Sequence, residues 1–157
     1  MSSIKETVLE INLAHLTHNY NYLKSKVHPN VKKLAVVKAS GYGSDAAIIA
    51  KHLDFAVAYT SDCFVLRESG IKTPILVLHP QPINFEELIT NELIPSIYSF
   101  RVLTKFIETA ATLGKKEYPV HIKFNTGLHR IGFDQIDIDN IIHEITKTDA
   151  IKIIAIL

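Results

Sequence analysis

Leu34-Ala-Val-Val-Lys-Ala-Ser-Gly-Tyr-Gly43 joins a short apolar run to a lysine and then to a turn with two glycines. Strand residues alternate between faces, so the spacing sets Leu34, Val36 and Lys38 on one side and Ala35 and Val37 on the other. An amine thus ends an otherwise apolar row. Burial at such a position disfavours the charged form of an amine, and a partly neutral amine is what Schiff-base chemistry with an aldehyde requires. Spacing alone leaves this reading open against an ordinary surface lysine, such as Lys32 and Lys33 just before it.

Outward from this stretch, a strand–loop–helix rhythm repeats. Upstream, Val8–Asn12 alternates like a strand, and Asn12 caps a helix carrying Leu13, Leu16, Tyr20, Leu23 and Val27 to a stop at Pro29. Downstream, a brief helix is expected from Asp45 to Leu53, then a strand at Phe55–Tyr59 and a helix capped by Ser61 and ended by Gly70. Pro74–Leu78 is the next strand, with a helix starting near Asn84 after the His79-Pro-Gln-Pro82 loop. A strand near Leu93–Ile97 precedes an amphipathic helix capped by Ser99, with a stripe of Val102, Leu103, Phe106, Ile107, Ala110 and Leu113 and a stop at Gly114. Pro119–Phe124, a helix from Asp137 to about Lys147, and Ile151–Leu157 complete the series.

Strands alternating with helices through short loops argue for parallel βαβ units, and the apolar runs at 74–78 and 151–157 suit strands covered on both faces. The fold expected is α/β: a parallel (β/α) barrel of TIM type, incomplete, with about six of its eight strands. Residues 1–30 form a strand and helix leading in, and residues 31–157 form the partial barrel. A doubly wound open sheet is the runner-up, although no Gly-rich nucleotide fingerprint follows the first strand.

Composition narrows the function classes. The 157 residues can bury a real core, and 47% hydrophobic with 21% charged residues is ordinary for a folded domain. A net charge of +1 gives no reason to expect nucleic acid or an anionic membrane as partner. Cys63 is the single cysteine, which fits a reducing compartment, and no apolar run reaches spanning length, so a cytoplasmic protein is expected. Asp134-x-x-Asp137-x-Asp139 lacks the glycine and glutamate of a calcium loop and reads as a helix start, so no metal site is expected.

His121-Ile-Lys-Phe-Asn-Thr-Gly-Leu-His-Arg-Ile-Gly-Phe133 is the second informative segment. Val120, Ile122 and Phe124 face one way, His121 and Lys123 the other. A lysine in mid-strand is costly unless paired or chemically neutralised. Arg130 follows at the carboxyl end of the strand, where parallel α/β folds build their sites, and can hold a carboxylate in bidentate geometry. On local sequence alone, an ordinary surface arginine in a Gly-containing turn is the stronger reading.

Together the two segments resemble the N-terminal barrel of alanine racemases, with Glu10-Ile-Asn-Leu, Phe55-Ala-Val-Ala and Leu66-Arg-Glu-Ser-Gly-Ile71 matching in order. The resemblance implies a fold-type III enzyme that uses pyridoxal 5'-phosphate to interconvert L-alanine and D-alanine for peptidoglycan precursors. It implies that Lys38 binds the cofactor covalently and serves as one of two bases. Tyr42 would hydrogen-bond the phosphate, and Arg130 would meet the cofactor's ring hydroxyl and the substrate carboxylate. Lys123 would match a lysine often carbamylated in the family, an anion able to orient Arg130. The second base, a tyrosine of the partner subunit in a homodimer, the arginine at the ring nitrogen and most of the phosphate cup belong to family segments beyond this chain. A barrel fragment inactive alone is therefore expected.

This sequence departs from the family pattern at Ser40-Gly-Tyr-Gly-Ser44 and at Asn125, and its link from Tyr42 to Phe55 is short. A non-catalytic barrel that holds the same cofactor, or a structural barrel fragment without one, are the alternative functions.

Overall fold

In the computed structural model, which describes residues 7–53 and 56–157, six strands form one parallel sheet in the order in which they occur along the chain. They are β1 (Ala35–Val36), β2 (Ala56–Ala58), β3 (Ile75–Val77), β4 (Ile94–Ile97), β5 (Tyr118–Ile122) and β6 (Ile151–Ile156). Strand order decides between the two architectures that the sequence allows. A doubly wound sheet reverses its direction of growth at a switch point. Here every strand adds beside the one before it, as barrel strands do. The fold is α/β, a TIM-type (β/α) barrel with six of its eight strands.

The helices are α1 (Leu13–Ser25), α2 (Lys38–Tyr42), α3 (Ala46–Ala50), α4 (Thr60–Glu68), α5 (Phe85–Thr90), α6 (Phe100–Thr112) and α7 (Ile138–Thr146). Alternation along the strands sorts side chains into two layers. Ile75 and Val77 of β3 and Val120 and Ile122 of β5 are buried in the outer core with Leu88 of α5 and Leu103 of α6. Phe106 is the hub there: its ring meets Phe85 edge-on at 5.1 Å and Tyr118 at 5.7 Å. Leu34, Leu76, Ile94 and His121 instead line an inner cavity of about 440 Å³. At the amino end of the sheet, the Arg67 guanidinium donates to the carbonyls of Ile71, Thr73, Asn91 and Glu92 at 2.8 to 3.1 Å, tying α4 to the entries of β3 and β4.

Several local expectations hold. The Asn12 side chain caps α1 and Ser99 caps α6, and the brief helix expected from Asp45 is present as Ala46–Ala50, with the Asp45 side chain accepting from Ala47 and Ile48 N–H. Asp134 and Asp137 form a reciprocal capping box, and Cys63 is fully buried. Others are corrected. Residues 7–12 form no strand, and α1 buries none of its residues, so its apolar spacing marks a half-wetted helix rather than a core one. Thr60, not Ser61, opens α4, with Tyr59 at the cap position and no side-chain cap. Phe55 lies outside the described residues. β1 ends at Val36, so Lys38 is not the last member of a strand row but the first residue of a turn. β5 ends at Ile122, so Lys123 is a partly buried residue beyond the strand rather than a buried cation within it. Among the described residues no helix is long and apolar enough to cross a membrane.

Candidate active site at the carboxyl ends of the strands

Beyond β1 the chain enters a turn of unusual hand. Ala39, Ser40, Gly41 and Tyr42 all have φ between 52° and 67°, a left-handed helical turn closed by Gly41 N–H to Val37 C=O at 2.8 Å. Gly41 is needed here for space as well as for hand, because a Cβ would sit 3.1 Å from the Ala46 backbone. The Asp62 carboxylate, in the first turn of α4, accepts from the N–H groups of Ala39 at 2.9 Å and Ser40 at 3.2 Å. That contact fixes the turn against the next βα unit. Lys38 enters it partly buried, and Tyr42 stands on its outer side, 66% exposed.

Arg130 is presented by a loop just as tightly defined. Beyond β5, Asn125 N–H donates to Phe133 C=O at 2.8 Å and Phe133 N–H to Lys123 C=O at 2.9 Å, clipping the loop at its base. Gly132 permits the clip, because with φ at 127° a Cβ there would lie 2.6 Å from the Phe124 carbonyl carbon. The Asn125 side chain organises the interior, accepting from Gly127 and His129 N–H and donating to Asp134 at 3.2 Å. An ionised aspartate could not make that last bond, so the departure from the family pattern at this position has a local use. Arg130 itself is exposed, beside a cleft lined with Asn125, His129 and Gly132.

Three aromatic residues form a row across the carboxyl ends of the strands. Tyr59, His79 and Tyr98 each lie one or two residues past β2, β3 and β4. The Lys38 amine donates to the Tyr59 hydroxyl at 3.5 Å and lies 5.2 Å from the centre of its ring. Tyr59 stacks on His79 at 5.4 Å, and His79 meets the edge of Tyr98 at 6.3 Å. Burial holds the His79 pKa below its ordinary 6.5, with further depression from the charges of Arg130, Lys38 and Lys123. Three cations contributed by two loops therefore act on one ring at the carboxyl end of the sheet. Such a place suits a ligand carrying more than one anionic group.

Lys38, Lys123 and Arg130 come from the two segments that sequence reading singled out, which did not include Tyr59, His79 or Tyr98. His79 is at the site, and His121 is a buried interior residue. The available signal was position: Tyr59, His79 and Tyr98 follow successive strands, where a barrel gathers its functional side chains.

The sequence and the fold have relatives. The sequence profile of the family described as "Alanine racemase, N-terminal domain" matches residues 11–157. Alanine racemase 1 of Caldanaerobacter subterraneus subsp. tengcongensis is 36% identical over 142 residues, which are 86% of this chain and 36% of that protein. The solved alanine racemase of Clostridium difficile 630 superposes with a TM-score of 0.87 at 33% identity, over 97% of this chain and 43% of that one. A second structure of it, in complex with cycloserine, gives 0.86 at 32% identity, over 93% of this chain and 42% of that one. The chain thus spans about two fifths of the length of these relatives. On the profile match and the shared fold together, this chain belongs to the alanine racemase N-terminal domain family.

Proposed function

We propose that the chain is the barrel portion of an alanine racemase that uses pyridoxal 5'-phosphate to interconvert L-alanine and D-alanine. The observation that carries this is the placement of Lys38 and Arg130 on two built loops just past the carboxyl ends of β1 and β5 of one parallel sheet, with the Lys38 amine on the Tyr59 hydroxyl at 3.5 Å. The donor set fits the cofactor: an amine for its aldehyde, and positive charge for its phosphate and for a substrate carboxylate. Lys38 would hold the cofactor and move a proton at one face of the substrate α-carbon. Arg130 would orient the substrate carboxylate, and Lys123, once carbamylated, would be an anion able to orient Arg130. Tyr42 would reach a phosphate oxygen from the glycine turn. When bound, the cofactor supplies an electron sink for the carbanion left by proton removal.

Inversion requires an acid/base group on each face of that carbon, and Lys38 serves one. The second base would come from a partner subunit in a homodimer of the longer protein, with the rest of the barrel and a second domain completing the site. Such an enzyme would work in the cytoplasm and feed peptidoglycan precursors.

Incubation of the chain with pyridoxal 5'-phosphate should give an absorbance band at the visible edge. Borohydride should convert it to a stable adduct on Lys38, and Lys38→Ala should abolish both. Conversion of D-alanine to L-alanine by the isolated chain should be slight or nil. A band that survives Lys38→Ala counts against the proposal. Robust turnover by the isolated chain counts against the need for a second base from elsewhere.

A further inference from the structure

Tyr59, His79 and Tyr98 have no task in the chemistry proposed above, yet they stand on three successive strand ends around Lys38. We propose that Tyr59, backed by the imidazole of His79, is a positioning residue that holds the Lys38 amine where it can capture an aldehyde. The inference rests on Lys38 being the cofactor lysine.

A lysine amine sits on a flexible four-carbon stem, and a partly exposed one samples many rotamers unless something holds it. Here the phenol oxygen accepts from the amine at 3.5 Å and the ring lies below it at 5.2 Å. A π face attracts the ammonium, and the hydroxyl gives the attraction a direction. Tyr59 is itself 37% exposed, so its ring needs support to act as a fixed platform. His79 supplies it by stacking at an interplanar angle of 28°. Tyr98 closes the row from the far side, its hydroxyl accepting from Gln81 Nε2 at 3.1 Å and donating to Pro80 C=O at 3.4 Å. Support therefore runs from the end of β4 past the ends of β3 and β2 to the lysine beyond β1.

The charge state of His79 matters to this arrangement. The titratable and charged groups around it are Lys38 beyond β1, Tyr59 beyond β2, Tyr98 beyond β4, and Lys123 and Arg130 beyond β5. Three of the five are cations. A protonated ring would add a fourth positive charge facing the amine that Tyr59 holds. Burial and those cations keep the ring neutral at neutral pH, so it backs Tyr59 without repelling Lys38. Capture itself needs no oxidant or reductant. The unprotonated amine gives its electron pair to the aldehyde carbon, and water leaves as the carbon–nitrogen double bond forms.

The test measures the rate at which borohydride-trapped pyridoxal 5'-phosphate appears on Lys38, by mass spectrometry of the full chain, with circular dichroism reporting the fold. Tyr59→Leu should slow capture about tenfold and Tyr59→Phe about two- to threefold, since the ring remains and only the hydroxyl is lost. His79→Leu should slow it several-fold. His79→Phe keeps a flat neutral ring and should slow capture less than His79→Leu at neutral pH, while its pH profile should lack the inflection below 6.5 shown by the wild type. A role in stability alone would not move that inflection. Independently of any cofactor, the NMR titration midpoint of His79 should lie below 6.5 and rise in Lys38→Ala, which removes one of its cations.

Wild-type capture rates in folded Tyr59→Leu and His79→Leu overturn the positioning role and leave the proposed function standing. Failure of the wild-type chain to capture at Lys38 overturns the proposed function itself. Should Tyr59→Leu not fold, the His79 titration decides, and a midpoint that Lys38→Ala leaves unmoved overturns the inference.

Discussion

The two sides of the sheet are built to different standards. On the β4–β6 side, strands of four to six residues lie beneath the aromatic hub of Phe85, Phe106 and Tyr118, all buried. On the β1–β2 side, the strands have two and three residues, and the chain between them turns through four successive left-handed positions. Three of those positions carry side chains, and each costs about 1–2 kcal/mol relative to a right-handed conformation. Val36 beside the turn is 46% exposed, so apolar burial does little to offset that cost. The candidate active site joins the two sides: Lys38 comes from the strained one and Arg130 from the well-packed one. Rigidity at one loop and stored strain at the other is what a site needs when one of its residues must react and the other must hold.

The largest expected effect tests the packed side. Phe106→Ala removes a fully buried ring that two other rings abut, and should cost about 3–5 kcal/mol in denaturant unfolding. A loss below about 1 kcal/mol would mean that the hub is not what sets the two sides apart.

The next sharpens the comparison from the strained side. Asp62→Ala deprives the left-handed turn of its carboxylate, a local loss of about 1–2 kcal/mol at a site in contact with water. Amide exchange at Ala39 and Ser40 should quicken about tenfold, while amides of β5 stay unchanged because the opening is local. Equal acceleration in both regions would show that the two sides open together.

Legibility in the sequence follows the same division. Where packing dominates, pattern was enough. The α6 stripe from Val102 to Ala110, its Ser99 cap, and the opposition of Val120 and Ile122 to His121 stand as read, whereas Leu113 lies past the helix end and is exposed. Where backbone conformation dominates, pattern misled. An apolar run into Lys38 looks like a strand because nothing in residue type announces that Ala39, Ser40 and Tyr42 adopt positive φ. Lys123 was placed in mid-strand for the same reason, since the strand ends where Asn125 and Phe133 clip the loop and not where the apolar run stops. Tyr59, His79 and Tyr98 went unread because each follows a different strand, and only the parallel register brings them into one row.

The smallest expected effect compares two histidines, one on each side of this division. His79 and His121 both hold their pKa below 6.5, but for different reasons. Burial alone depresses His121, whose Nδ1 faces the barrel interior without a partner across from the equally unpartnered Ser96 hydroxyl. His79 owes part of its depression to Lys38, Arg130 and Lys123. As pH falls through 6.5 the unfolded chain takes up these protons before the folded chain does, so stability declines until the folded pKa values are passed. Above 6.5 both contributions are fully present. Salt screens charges acting on a partly exposed ring and leaves the burial of His121 untouched. Unfolding followed from pH 8 to pH 5 should therefore show a decline that high salt makes shallower in the wild type but not in His79→Phe. In His121→Gln a larger share of the remaining decline should be salt-sensitive, since charge adds to burial only at His79. The reverse pattern would mean that the cations at the barrel mouth lie too far from His79 to act on it, and the site would lose the feature that joins its two loops.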